Sequence, residues 1–529
     1  MTTVLSCCLF MGLVAWISYR RTRGHTGTRE GYFLAGHGLT GTFIAGSLLL
    51  TNLSAEQLIG LNGSAYAFNL SSMAWEVTAA VAIIIMAVVL LPRYLVGGFT
   101  TLPEFLETRF DARVRRTTAG LFLLGYSFVT IPSVLYSRSL AVLQLFDVTT
   151  LLGVPRNEAL TITIWAIGLI GAAYAIFGGL KAVAVSDTLN GIGLLIVGVT
   201  VPLLGLMKLG DGSVLAGLNT LTSEHTEKLN AIGSASDPTP FGTLFTGMIL
   251  ANLFYWGTNQ YVIQRTLGAR NLAEGQKGVL ISGCFKIAVP FFMMIPGIIA
   301  FHLYGPGLDS MDDAYPRLVK DVLPTYLSGF FLAVLLGAVF SSFNSLLNSA
   351  STLVAIDVYQ PLRPASSDTD LIRVARIAGI GIALFSFLIA PLLQYAPEGL
   401  WQLIRKFTGF YNIPIIALVV MALVARHNDR RVPAVGALVA IAFHLIVYTI
   451  VTFIWETGIH FIHLYALLFA AEIGIMLAYM KWHPILIAQP IPTSTLDMTP
   501  WRHTGKMSIG LLVAVILLYV AFSPLGMAS

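Results

Sequence analysis

Charge is scarce in this chain, and that scarcity excludes most of what 529 residues could build. Only 11% of the residues are Asp, Glu, Lys or Arg, against 56% hydrophobic, and the mean hydropathy is +0.79. An ordinary soluble domain is excluded, and a polytopic membrane protein is implied. Cysteine is nearly absent: Cys7, Cys8 and Cys284 all lie in apolar runs, so neither a disulfide framework nor a metal cage is expected. Long hydrophilic stretches are also missing. The longest, 208–242 and 304–326, are rich in Gly, Ser, Asp and Pro and read either as linkers or as covers over an entrance. No phosphate-binding loop, HExxH or nucleophile elbow occurs, which argues against an ATP-driven pump or a membrane hydrolase. His460 and His463 have no carboxylate or Cys at ligand spacing and are read as interfacial.

What the chain does have is apolar runs. Fourteen of them, each long enough to cross a bilayer core, fall near 3–19, 41–60, 71–92, 117–144, 158–178, 188–207, 243–263, 278–303, 327–356, 374–395, 399–425, 433–454, 461–480 and 507–524. The first has its Arg residues after the apolar stretch, unlike a signal peptide, so it reads as an uncleaved span. Alternate connections hold 22 of the 31 basic residues, including Arg20, Arg115, Arg265, Lys277, Arg373 and Lys506. By the positive-inside rule these connections are cytoplasmic and both termini lie outside. The net charge of +5 is therefore membrane bias, not a nucleic-acid footprint.

The second run contains the feature that most needs a reason. Asn52, Ser54, Glu56 and Gln57 stand where the hydrocarbon core should be, and Glu76 follows in the next run. Polar groups at that depth are costly and mark sites or watery cavities by default. A helix interrupted at mid-membrane, with Gly60, Gly63 and Ser64 beyond the break, is how secondary transporters expose backbone carbonyls to an ion. The other reading is a kinked helix whose polar groups only bond to neighbours. A second interruption, Asn252, Tyr255, Trp256, Gly257, Thr258 and Asn259, falls in the seventh run. Breaks five spans apart are what an inverted five-helix repeat places at equivalent positions.

Other residues carry two readings each. Lys286 either snorkels to the cytoplasmic surface or pairs with a buried acid. Glu76 is solvated at an interface or, if buried, needs a cationic or hydroxylated partner. Ser341, Ser342, Asn344, Ser345, Asn348, Ser349 and Ser351 along one run serve helix packing, or the Ser341/Ser342 pair supplies hard oxygens to an alkali cation. Asp187 after Gly178–Gly179 reads most simply as a solvated helix cap.

The segments GYFLAGHGLTGTFIAGSLLLTNLSAEQLIGLNGSAYAF, TLPEFLETRF, SVLY, YAIFGGLKAV, NLFYWGTNQYVIQRTLGARNLAEGQKG and AVFSSFNSLLNSASTLVAIDVY together resemble the solute:sodium symporter family, and within it the bacterial sodium/galactose branch. The resemblance runs to about residue 425 and thins beyond. It implies an all-α LeuT-type membrane fold of two inverted five-helix repeats, 41–207 and 243–425. An extra N-terminal span, 3–19, and C-terminal extra spans, 433–524, flank them in one transporter domain. It also implies substrate-binding positions at Gln57, Glu76, Asn252 and Lys286, and a gate of Tyr255 with Asn52 and Trp256. A sodium site of Leu50, Leu53 and Ala338 carbonyls with Ser341 and Ser342 hydroxyls is implied as well, with Asp187 on the sodium exit route. Gln402 is kept, but the galactose pattern's Gln is replaced by Arg405, a Ser by Ala79, and a small residue by Arg138. Arg405 in the cavity suits a carboxylate or sulfonate; paired with an acid or turned to water, it changes nothing.

The expectation is a transporter and not an enzyme: a sodium-coupled symporter importing a monosaccharide by alternating access, in a bacterial inner membrane. An anionic sugar acid or sulfonated sugar is the alternative cargo, and a passive channel or membrane sensor the alternative class. Its partners are then sodium, a sugar or sugar derivative and the lipid bilayer, with no nucleic acid and no obligate protein partner.

Overall fold

The computed structural model describes residues 2–22, 27–53, 55–146, 148–308, 310–395, 400–424, 431–455, 458–485 and 495–528. Those residues are helical almost throughout, as a chain must be where lipid offers its backbone no hydrogen bonds. Helix α1 is Thr2–Thr22. The second apolar run is two pieces, α2 (Gly41–Asn52) and α3 (Ala55–Ala67), bent by 58°. Then come α4 (Leu70–Gly97) and α5 (Ala112–Leu140), and α6 (Arg156–Leu209), kinked at Gly179 where φ is 61°. A second broken run follows, α7 (Gly247–Gly257) and α8 (Gln260–Leu267). The rest are α9 (Leu272–Tyr304), α10 (Ser328–Leu362), α11 (Asp368–Gln394), α12 (Leu400–Val424), α13 (Ala434–Ile454), α14 (Phe461–Trp482) and α15 (Thr504–Ala521).

Among the described residues, nine helices are long and apolar enough to cross a membrane, or ten with the bent α2–α3 pair. The expected fourteen spans are not reached by that measure, partly because the runs at α2–α3, α6 and α7–α8 do not fold as separate straight helices. The α6 kink joins the fifth and sixth expected spans through a left-handed glycine, which only a residue without Cβ adopts cheaply.

Helix α10 is the most enclosed, its side chains from Gly337 to Thr352 all buried. Small residues let it come close to its neighbours, as lipid-embedded helices require. A Cβ on Gly337 would stand 2.4 Å from the Asn190 side chain of α6, and one on Gly46 of α2 would stand 2.7 Å from Thr188. Farther out, His444 of α13 lies 2.5 Å from Glu472 of α14 and donates from Nε2 to the Gly409 carbonyl of α12 at 2.9 Å.

Candidate functional site

Both breaks are built alike. Helix α2 stops at Asn52 because Leu53 is extended, with φ −73° and ψ 109°. Helix α7 stops at Gly257, and Asn259 is extended, with φ −71° and ψ 118°. Each stop frees carbonyls that a continuing helix would have bonded. The second break is held by side chains: Tyr126 OH donates to Asn259 Oδ1, and Leu102 N–H donates to Gln260 Oε1 at 2.8 Å.

Around the first break, three helices bring together residues far apart in sequence. Gln57 Nε2 of α3 donates to Glu76 Oε1 of α4 at 3.0 Å. Lys286 Nζ of α9 donates to Glu76 Oε2 and lies 5.5 Å from the centre of the Trp256 ring. Glu76 and Lys286 are each only 2% exposed, so neither the interfacial carboxylate nor the snorkelling lysine is what forms. Two charges this deep persist because each neutralises the other. Asn252 of α7 points at the adjacent turn of α4, its Nδ2 donating to Thr78 Oγ1 at 3.0 Å. The Tyr255 hydroxyl reaches toward Asn52 and Tyr261, its ring packs edge-on against Trp256 at 5.4 Å, and Asn52 Oδ1 completes no hydrogen bond. Gln57, Glu76, Lys286 and Trp256 therefore form one cluster, with Asn252, Tyr255 and Asn52 beside it. Ser54 lies outside the described residues, as do the side chains of Glu56, Gln402 and Arg405.

Toward the basic face of the bundle, the same break meets α10. Ser342 Oγ donates to the freed Thr51 carbonyl at 3.0 Å. The Ser341 hydroxyl is turned toward Asp187, yet neither Ser341 Oγ nor Asp187 Oδ1 completes a hydrogen bond. Released carbonyls, two neighbouring hydroxyls and an unsatisfied carboxylate oxygen are the hard donor set that an alkali cation takes. Of the expected sodium ligands, Leu50 and Leu53 lie at this break, Ser342 touches it and Ser341 is its neighbour, an oxygen set that suits the ion chemically, while Ala338 lies within α10 one turn before them.

Asp187 overturns its simplest reading. It is fully buried inside α6, so it is no solvated cap. Ser47 Oγ donates to its Oδ2 at 2.7 Å, and Arg265 Nη2 lies 3.8 Å from the same oxygen. Arg265 is the residue sequence reasoning missed. Counted there as cytoplasmic loop charge, it is 1% exposed, donates from Nε to Ser47 at 2.8 Å and also donates to Ser345 Oγ and the Tyr261 carbonyl. The available signal was its place eight residues past Gly257, within reach of the second break. This cluster closes α2, α6, α8 and α10 on one another below the break.

On the opposite face, Lys228 of the 208–242 connection donates to the Tyr66 and Ala67 carbonyls at 2.9 and 3.1 Å, with its Nζ 4.1 Å from the Phe301 ring centre. Burial pushes this ammonium below the usual lysine range, against the upward pull of Glu227. That connection is packed onto the end of α3, so it is a cover and not a loose linker.

A model of the sodium:solute symporter family matches residues 32–443. The Escherichia coli (strain K12) protein named Uncharacterized symporter YidK is 42% identical over 520 residues, 98% of this chain and 90% of that one. The Sodium/glucose cotransporter of Vibrio parahaemolyticus is 32% identical over 469 residues, 84% of each chain. Among solved structures, a Na+-coupled sialic acid symporter in a substrate-bound outward-open state matches with a TM-score of 0.79 at 19% identity, covering 92% of this chain and 99% of that one. That likeness is one of fold, the LeuT type with its broken helices. The chain belongs to the sodium:solute symporter family, integral membrane transporters, not enzymes, that couple a small-molecule solute to sodium.

Proposed function

We propose that this protein imports a monosaccharide or close derivative together with sodium, by alternating access in a bacterial plasma membrane. The sugar sits between the broken helices, held by Gln57, Glu76, Asn252 and Lys286, and Gln402 and Arg405 of the eleventh apolar run are the further candidate positions. The observation that carries this is the Gln57–Glu76–Lys286 chain of polar contacts beside Trp256. Amide, carboxylate and ammonium offer donors and acceptors in fixed directions, and an aromatic face covers the C–H surface of a pyranose. Tyr255, with Asn52 and Trp256, forms the gate on the way inward.

Sodium is held by the Leu50, Leu53 and Ala338 carbonyls with Ser341 and Ser342, and leaves past Asp187. The repeats run over 41–207 and 243–425, with 3–19 and 433–524 added around them. Linkage supplies the mechanism: sodium stabilises the arrangement in which the solute site is formed, so the two affinities rise together. An anionic sugar is the second reading, and Arg405 is its support. A neutral sugar is favoured because Lys286 is already neutralised by Glu76.

The test is binding of a panel of neutral hexoses and sugar acids to purified protein, with and without sodium, repeated on Arg405→Gln. Sodium-dependent binding of a neutral hexose that survives the substitution supports the first reading. Binding of acids alone, lost in the variant, supports the second, and sodium-independent binding overturns the symport mechanism.

A further inference from the structure

Arg138 is a buried basic residue outside the solute cluster described above. It lies in α5, which passes the hydrocarbon depth, and is 1% exposed. A guanidinium is expensive there and is kept for a use. Its Nη1 donates to the Ala338 carbonyl at 3.1 Å and to the Val339 carbonyl at 2.6 Å. Those carbonyls lie in α10, in the turn that leads into Ser341 and Ser342.

A backbone carbonyl has two lone pairs. Within the regular helix α10, one on Ala338 is engaged by the amide of Ser342, four residues on. Arg138 takes the other. In this arrangement the Ala338 oxygen has no capacity left for a metal ion. Val339 offers the guanidinium an adjacent acceptor onto which it can withdraw.

We infer that Arg138 is a tethered cation that competes with sodium for the Ala338 carbonyl. It holds that oxygen when sodium is absent and yields it, remaining on Val339, when sodium binds. This rests on the reading that Ala338 is a sodium ligand. Two consequences follow from the shared oxygen. Sodium would have to displace a hydrogen-bonded donor and bind beside a positive charge, so its affinity is held down. The empty carrier also retains a positive group at that ligand, so the oxygen is not left bare when the ion departs. Arg138 is thus a positioning residue that sets sodium affinity, and need not touch the solute.

The experiment is a sodium titration of the purified full chain, read as sodium-dependent thermal stabilisation and as direct binding of radioactive sodium. Arg138→Gln removes the charge and keeps an amide donor, and its sodium midpoint is expected to fall by roughly tenfold, the size of effect that like charges this close exert even with strong screening. Arg138→Lys keeps the charge on a shorter side chain that reaches the two carbonyls less closely, so its midpoint is expected to fall by a smaller factor. The lysine variant serves alone if the glutamine variant is not recovered folded. A purely packing role would lower the melting temperature in sodium-free buffer and leave the midpoint where it was. A midpoint at or above wild type in the variant recovered overturns the inference. Ser341→Ala and Ser342→Ala separate this from failure of the sodium site itself. If they abolish sodium binding while Arg138→Gln leaves the midpoint unmoved, only the competition fails; if they leave sodium binding intact, the site assignment falls first and the inference with it.

Discussion

At the residue scale, the Glu76–Lys286 pair decides what the centre of the bundle tolerates. Each side chain alone would be an uncompensated charge away from water, and removing one partner of such a pair costs roughly 3–5 kcal/mol. Lys286→Met is therefore expected to lower thermal stability sharply in detergent. Glu76→Gln/Lys286→Met removes both charges and is expected to recover most of that loss. Solute binding should be lost in the single and the double variant alike, because the directed donors and acceptors are gone in both. Thermal unfolding and solute titration on the same preparations check this. A Lys286→Met protein as stable as wild type would mean that the pair does not neutralise itself.

At the element scale, the broken helices matter most, and here much was legible in the sequence. A polar cluster inside an apolar run has no cheap place in an unbroken span, so Asn52 to Gln57 and Asn252 to Asn259 announced both interruptions. Pairing was not legible from spacing, and only the family resemblance grouped the residues that pair. Gln57, Glu76 and Lys286 meet only because α3, α4 and α9 pack at one depth, which no spacing along the chain encodes. Arg265 was misplaced because hydropathy assigns a residue to loop or core by its neighbours in sequence, whereas α8 folds back under α2 and α10 and buries it. Asp187 was misread for the same reason, its position near a glycine turn saying nothing of the helices around it. The outer half-helix α3 carries a prediction of its own. Its last carbonyls, at Tyr66 and Ala67, are capped by Lys228 from the 208–242 connection, a cation at the negative end of the helix dipole. Lys228→Ala leaves both carbonyls without that donor and is expected to cost about 1–3 kcal/mol. Amide exchange within 55–67 should quicken, while exchange in α10 stays as in wild type. Unchanged protection in 55–67 would show that the connection only lies over the helix without holding it.

At the scale of the whole molecule, charge is sorted onto two faces. On one, Arg29 meets Glu104 at 3.5 Å, and Arg115 meets Glu107 at 2.5 Å and Asp357 at 2.8 Å, where the arginine-rich connections gather. The other holds the 208–242 and 304–326 connections, with Lys208 on Asp321 at 3.3 Å and Tyr66 OH donating to the Gly305 carbonyl at 2.6 Å. The end of α15 joins this second face, where Ala231 N–H donates to the Phe522 carbonyl at 2.7 Å. The positive-inside bias acts during insertion, on Lys and Arg in short connections, and on that rule the first face is expected in the cytoplasm. The same orientation predicts that the residues after Phe522 emerge outside. An epitope appended after Ser529 is expected to be stained on right-side-out spheroplasts without permeabilisation. The same epitope inserted between Arg363 and Ser367, in the short connection between α10 and α11, should be stained only after the membrane is opened. The reverse pattern would invert the bundle in the membrane. The arginine-rich face would then point outward, and the cluster of Asp187 and Arg265 would guard the side from which sodium enters.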